Sequence, residues 1–418
     1  MSETRMHLDD LAKSVTFDDV VAARARIADG VFVTPCRESL DLSDLTGCEI
    51  FTKLEFQHRT GSFKERGARN ALLLLDADRR QRGVVAASAG NHALALAFHG
   101  RQLGIPVTVV MPKFAPLVKR TKCDRLGARV ILHGENIAEA KVRGDELVAA
   151  DGLTYIHGFN DAAIIAGQGT MALEILEQVH QPDAIIVPIG GAGLIAGVAL
   201  ASKRLAPRTE IIGVEPRRCP SFIEAMKAGR PVRVQTTPTL ADGLAVPEVG
   251  DRAFAIARDK VDRVIPVDEE EISLAILRLL ELEKGLVEGG GAVSLAPFLT
   301  GQLADLKGKR VVLCLCGGNI DPTILSRVID HGLALDGRLT RFSAVIRDRP
   351  GGLAAFASVV ADAGASIKQI QHERAFGGPD VSTVQVDCTA EVRDIEHIRA
   401  LHRALEANGF RILTKSHD

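Results

Sequence analysis

The chain has 418 residues, too many for one ordinary hydrophobic core, so two or three domains are expected. Hydrophobic residues make up 46% and charged residues 25%, and 51 Lys and Arg stand against 53 Asp and Glu for a net charge of -2. That balance argues against a nucleic-acid or anionic-membrane partner; no apolar run reaches the roughly 20 residues that span a bilayer, and the polar start at Met1–Asp10 lacks a signal-peptide pattern.

The first stretch with chemical character is Lys53-Leu-Glu55-Phe-Gln57-His-Arg-Thr60-Gly61-Ser62-Phe63-Lys64-Glu65-Arg66-Gly67-Ala68. Lys64 leads straight into a run of small and apolar residues at helical spacing. An ammonium at a helix start is disfavoured by the macrodipole. Such a lysine titrates lower and becomes a usable nucleophile or base. From Gly83 onward, β-rich runs alternate with helical stretches: Val84–Ala87, then Asn91–Leu103, then Val107–Val110. Between the first two lies Ser88-Ala89-Gly90-Asn91-His92-Ala93, whose free amides at a helix start suit a carboxylate.

Asn160 precedes Ile165-Ala166-Gly167-Gln168-Gly169-Thr170, another helix start. The apolar run Ala184–Val187 ends at Gly190-Gly191-Ala192-Gly193-Leu194, which opens a helix to Leu205; Ile211–Val214 follows. Bare backbone amides of this kind cup a phosphate without side-chain charge. Gly191, Gly193 and Ala196, with Glu215 about 20 residues on, also fit a dinucleotide fingerprint. That reading gives Lys64 and Asn91 no role and is set aside. Farther on come Val287-Glu288-Gly289-Gly290-Gly291-Ala292 and the run Arg310–Leu315, closed by Cys316-Gly317-Gly318-Asn319. The apolar runs suit parallel strands covered on both faces, so the fold class is α/β. The seven cysteines are odd in number and scattered, and Cys314-Leu-Cys316 has neither zinc nor redox spacing, so a reducing cytoplasm is expected.

The character changes near Asp330. Residues 331–339 read as a linker, and 340–418 as a separate domain with alternating strands, in which Val384, Val386 and Cys388 face one way. Helices carry Leu353, Phe356 and Val360, then Ile395, Ile398, Leu401 and Leu405. The order β, α, β, β, α, β is ferredoxin-like.

From roughly Lys53 to Asp321 these segments, in order, resemble the fold-type II pyridoxal-phosphate enzymes, in particular the serine and threonine dehydratases. The resemblance implies a two-lobed catalytic domain over 1–330, similar to the tryptophan synthase β chain, with a small lobe at roughly 53–157 inserted in the large one. It implies that Lys64 carries pyridoxal 5'-phosphate covalently, with Phe63 beside the ring. Gly190, Gly191, Ala192, Gly193 and Leu194 hold its phosphate, Asn91 its phenolic oxygen, Glu288 lies near the pyridine, and Cys316 meets the ring nitrogen. Ser88, Ala89, Gly90, Asn91, His92 and Asn160 bind the substrate. Leu94 stands where the family usually has Gln, and Ala192 replaces one of four glycines. Racemases of the family carry Ser at the place of Ala89, so dehydration is expected ahead of racemisation; L-threonine is the expected substrate, with L-serine or another β-hydroxy amino acid as the alternative. Ser221 stands where a divalent ion's Asp is found, so no divalent metal is expected, only a monovalent cation near Glu215. Arg341–Lys415 resembles an ACT domain, with Asp348, Arg349, Pro350, Gly351, Gly352 and Leu353 as the turn that holds an effector such as isoleucine or valine. A homodimer or homotetramer is implied. A non-catalytic amino-acid sensor is the contrasting reading; intact Lys64, Asn91 and glycine loop argue against it.

Overall fold

The computed structural model describes residues 3–115, 117–373 and 382–415, which divide into two compact units, Met1–Asp321 and Pro322–Asp418. The first unit holds two sheets. The larger runs, edge to edge, Cys36–Glu38, Glu49–Lys53, Arg310–Cys314, Ala184–Pro188, Glu210–Pro216 and Arg263–Val267. All neighbours are parallel except the first pair, where Cys36 lies opposite Lys53. The smaller sheet is wholly parallel, in the order Arg129–Leu132, Val107–Met111, Val84–Ala87, Thr154–Tyr155. Central strands such as Ala184–Pro188 and Val107–Met111 are buried along their whole length, because helices cover both faces.

The expected strands and helices at 84–110 and 184–214 form close to their expected bounds. Helix Asn91–Leu103 starts at Asn91 and stops at Gly104, whose φ of 67° is left-handed. The small lobe needs a correction at its start: Lys53 is the last residue of a strand in the larger sheet, registered against Cys314. Its polar and aromatic neighbours masked a strand whose Ile50 and Thr52 are fully buried. Helix Lys64–Leu73, by contrast, gives Ala68, Ala71 and Leu72 to the core of the smaller lobe.

One regularity places the chemistry. Lys53, Ala87, Tyr155, Pro188 and Cys314 each end a strand, and all but Lys53 lead within a few residues to a loop singled out above. In open α/β sheets the crevice beyond the carboxyl ends of the strands is where ligands bind.

The second unit is an antiparallel sheet in the order Ser366–Glu373, Thr383–Glu391, Leu339–Arg347, Arg411–Lys415, with helices Gly352–Asp362 and Ile395–Ala407 completing the ferredoxin-like pattern. Val384, Val386 and Cys388 are buried with Phe356, Val360, Leu401 and Leu405. Much of the expected linker is not one. Helix Pro322–Leu335 runs through 331–335, and only Asp336, Gly337 and Arg338 precede the first strand. Apolar residues at Ile324, Val328 and Leu335 keep the helical spacing that His331-Gly332 does not break. Among the described residues no helix is long and apolar enough to cross a membrane.

Candidate active site

The loop before Lys64 is bolted to the loop after Cys314. Ser62 pairs with Gly317 as an antiparallel bridge, the Phe63 N–H donates to the Cys316 carbonyl (3.1 Å), and the Gly318 N–H to the Gly61 carbonyl (2.9 Å). Lys64 opens its helix, and Phe63 at the cap supplies no side-chain acceptor. The Lys64 Nζ donates to the Gly158 carbonyl at 2.6 Å and lies 5.0 Å from the centre of the Phe63 ring. Burial lowers the amine to about 8, which puts a large neutral fraction within reach of physiological pH.

Around this amine stand several expected partners. Asn91 Nδ2 donates to Glu288 Oε1 at 2.6 Å, and Asn319 Nδ2 donates to Asn91 Oδ1 at 2.9 Å and to the Thr60 carbonyl at 2.7 Å. Burial, then the charge of Asp242, pushes the Glu288 carboxyl up to about 7. A methyl group at Gly317 would overlap that carboxylate, so glycine is what lets Glu288 approach. Cys316 is buried, and burial drives its thiol well above the ordinary range, so it is neutral. His92 Nε2 faces the Ile156 carbonyl at 3.1 Å and therefore carries the proton; burial pulls the ring down to about 3, so it too is neutral.

The Ser88–His92 turn opens onto free space. A Cβ at Gly90 would meet nothing within 4 Å. The first backbone bond of the helix runs from the Leu94 N–H to the Gly90 carbonyl, leaving the N–H groups of Asn91, His92 and Ala93 without an acceptor inside it. Ser88 Oγ accepts from the Gly90 N–H at 3.3 Å. Leu94 points into the core of the smaller lobe.

The glycine loop is built against Phe159. A side chain on Gly191 would strike the Phe159 ring, and one on Gly193 the Phe159 carbonyl. Ala192 caps the helix with φ 70°, a left-handed conformation glycine would adopt more cheaply. Since the first bond there joins the Ala196 N–H to the Ala192 carbonyl, Gly193, Leu194 and Ile195 begin the helix with unspent N–H groups. Asn160 meets a neighbouring helix start. Its Oδ1 accepts from the N–H groups of Arg252 (3.1 Å) and Ala253 (3.2 Å), and its Nδ2 donates to Asp251. Its amide caps helix Asp251–Ala257, and the Gly250 N–H beside it donates to the Gly191 carbonyl, which ties Asn160 to the back of the glycine loop.

Glu215 is fully buried and accepts from the N–H groups of Phe222 (3.0 Å) and Ile223 (2.9 Å), an arrangement that leaves no carboxylate for a nucleotide ribose. Burial lifts it to about 7. Among the described residues no three His, Cys, Asp or Glu side chains gather as a metal site. Sequence reasoning missed Gly158, which receives the lysine, and Phe159, which shapes the glycine loop. The aromatic just ahead of the Ala-Gly-Gln-Gly-Thr segment was the available signal.

This set fits pyridoxal phosphate. It offers a desolvated amine, helix-start amides on a glycine turn, a neutral thiol, and an Asn–Glu pair with an open turn beside it. A model of the pyridoxal-phosphate dependent enzyme family matches residues 27–317. The chain is 41% identical over 398 residues to an L-threonine ammonia-lyase of Thermotoga maritima, spanning 95% of this chain and 99% of that one. Among solved structures, it is similar to the processed form of threonine deaminase isoform 2 from Solanum lycopersicum (35% identity, TM-score 0.73, 77% of this chain and 88% of that one). It is also similar to serine racemase from Dictyostelium discoideum (35% identity, TM-score 0.70, 74% and 99%).

Proposed function

The chain belongs to the family of pyridoxal-phosphate-dependent enzymes, and on that premise we propose that it is a threonine ammonia-lyase, eliminating water from L-threonine to an enamine that water then converts to 2-oxobutanoate and ammonia. The observation that carries the reading is the Lys64 amine, lowered to about 8 by burial and pinned by the Gly158 carbonyl. When bound, the cofactor supplies an electron sink for the charge left by the departing α-proton. Lys64 is the residue that would hold it covalently, and its amine, once free, would take the α-proton as general base. The amides of Gly191, Gly193 and Leu194 hold the phosphate, with Gly190 and Ala192 shaping the turn. Ser88, Ala89, Gly90 and His92 hold the substrate carboxylate at the open turn, and Asn91, fixed by Glu288, orients the ring oxygen. Cys316, a neutral partner for the ring nitrogen, favours elimination over transamination. A racemase needs a second proton donor on the far face, and Ala89 has none to give.

The experiment is direct: purified protein given L-threonine or L-serine, with 2-oxobutanoate and pyruvate measured. Faster release of 2-oxobutanoate supports the assignment, and a preference for pyruvate would replace threonine by serine. Borohydride reduction with peptide mapping must find the cofactor on Lys64.

The second unit supports an effector role as an ACT domain. A cavity of about 550 Å³ is lined by Asp348, Arg349, Pro350, Gly351, Leu353 and His372. Gly352 is not among them; it faces the Arg347 carbonyl. Isoleucine or valine is the ligand we assign to it. The enzyme works in the cytoplasm as a homodimer or homotetramer, with a monovalent cation beside Glu215.

A further inference from the structure

Behind the site lies a charge cluster the reaction above does not use. Lys53, Glu55 and Arg66 are each 0% exposed and Glu174 4%. Lys53 Nζ donates to Glu174 Oε2 (2.6 Å), the Thr34 carbonyl (2.7 Å) and Gln178 Oε1 (2.9 Å). Arg66 uses its whole guanidinium fork: two bonds of 2.7 Å to Glu55, bonds of 2.6 and 2.7 Å to Glu174, and one of 3.2 Å to Thr170 Oγ1. Glu55 also accepts from Thr34 Oγ1 (2.6 Å) and meets His58 Nε2 at 3.1 Å. The two lysine and arginine charges balance the two carboxylates.

We propose that Lys53, Glu55, Arg66 and Glu174 are positioning residues for the reaction, a neutral brace that sets the Lys64 amine against Cys316 and Gly158. The inference rests on the reading of Lys64 as the cofactor lysine. Three segments meet in the cluster, and each supports one side of that amine. Lys53 and Glu55 flank the chain that pairs with the Cys316 loop: the Leu315 N–H donates to the Lys53 carbonyl (3.0 Å) and the Phe56 N–H to the Leu315 carbonyl (3.1 Å). Arg66 lies in the first turn of the helix that Lys64 opens. Glu174 and Thr170 belong to helix Ala162–Gln178, which follows the loop carrying the Gly158 acceptor.

Desolvating four charges is expensive, and a well-packed apolar cluster of like volume is often as stable. What ions add here is direction, because a guanidinium fork holding two carboxylates fixes their mutual orientation in a plane. Removing one member frees one segment and strands a bare charge; removing an oppositely charged pair keeps the balance.

Three variants test this: Lys53→Met, Glu174→Gln and the two combined. The readouts are the rate at which cofactor-free protein takes up free pyridoxal phosphate on Lys64, followed by visible absorbance without substrate, and kcat and KM for threonine per bound cofactor. Each single variant is expected to slow uptake and kcat by about tenfold to a hundredfold, with KM changed less than about threefold. The balanced pair is expected to recover most of that loss. Glu174→Asp keeps the charge but withdraws the carboxylate by one methylene, so it carries the test where a single variant fails to fold; it should slow uptake and kcat at an unchanged melting temperature. Folded variants with wild-type uptake and kcat overturn the proposal, as does a pair whose loss is the product of the two single losses. Wild-type protein that loads Lys64 but leaves threonine untouched would sink the substrate assignment and not the brace. Wild-type protein that takes up no cofactor on Lys64 would sink both.

Discussion

At the scale of single residues, the chemistry is set by groups held away from water. Lys64 loses its proton at about 8 because burial penalises the ammonium. Covalent uptake of the cofactor by the apoprotein should therefore accelerate as pH rises to about 8 and level off above it; a rate still climbing tenfold per unit past pH 9 would show an unperturbed amine. Glu288, raised to about 7 by burial, changes charge near neutrality while hydrogen-bonded to Asn91. Glu288→Gln keeps the acceptor and abolishes that titration, so the limb of kcat/KM near pH 7 should flatten. Glu215 is likewise lifted, from 4.5 to about 7. A carboxyl with a raised folded value contributes stability that is fully present below about 4.5 and lost as pH climbs through about 7, here roughly 3 kcal/mol. Because the amide does not titrate, the urea midpoint of wild type relative to that of Glu215→Gln should fall between pH 5 and pH 8.

At the scale of elements, the turns after strand ends carry the proposed site, and their glycines are explained by contacts. Gly193→Ala would drive a methyl group into the Phe159 carbonyl, which is backbone and has little room to move. We expect cofactor retention to fall at least about tenfold, measured by absorbance after dialysis, while Ala192→Gly should leave it intact because it relieves a left-handed residue. In the second unit Gly351 sits at φ 84° in the turn lining the cavity. An alanine there would strain the turn by about 1 kcal/mol and should weaken effector binding more than it weakens catalysis.

At the scale of the whole molecule, the chain joins a two-sheet unit to a ferredoxin-like one. Coupling between an effector and the substrate must be reciprocal in binding free energy. If isoleucine lowers the apparent affinity for threonine by some factor, a non-reacting threonine analogue must lower isoleucine affinity by the same factor, which calorimetric titrations in both orders check. Isoleucine at a hundredfold excess over its Kd should also stabilise the folded protein by about 2.7 kcal/mol. No change in rate, affinity or melting temperature with either isoleucine or valine would remove the effector role.

The sequence by itself determined the α/β class, the strand and helix order from Val84 to Val214 and the ferredoxin-like pattern after Leu339. These are local: apolar runs, periodicity and turn residues are written along the chain, and burial by neighbours follows from them. Only the tertiary structure decided that Lys53 closes a strand of the larger sheet, that residues 331–335 continue a helix, and that the amide of Asn160 caps a helix. It alone joined Phe159 to Gly191, and Glu174 to Lys53 and Arg66 across more than a hundred residues. The reason is physical. A hydrogen bond or ion pair between distant segments leaves no periodic trace, and each partner, read alone, is an ordinary polar residue until packing removes the water around it.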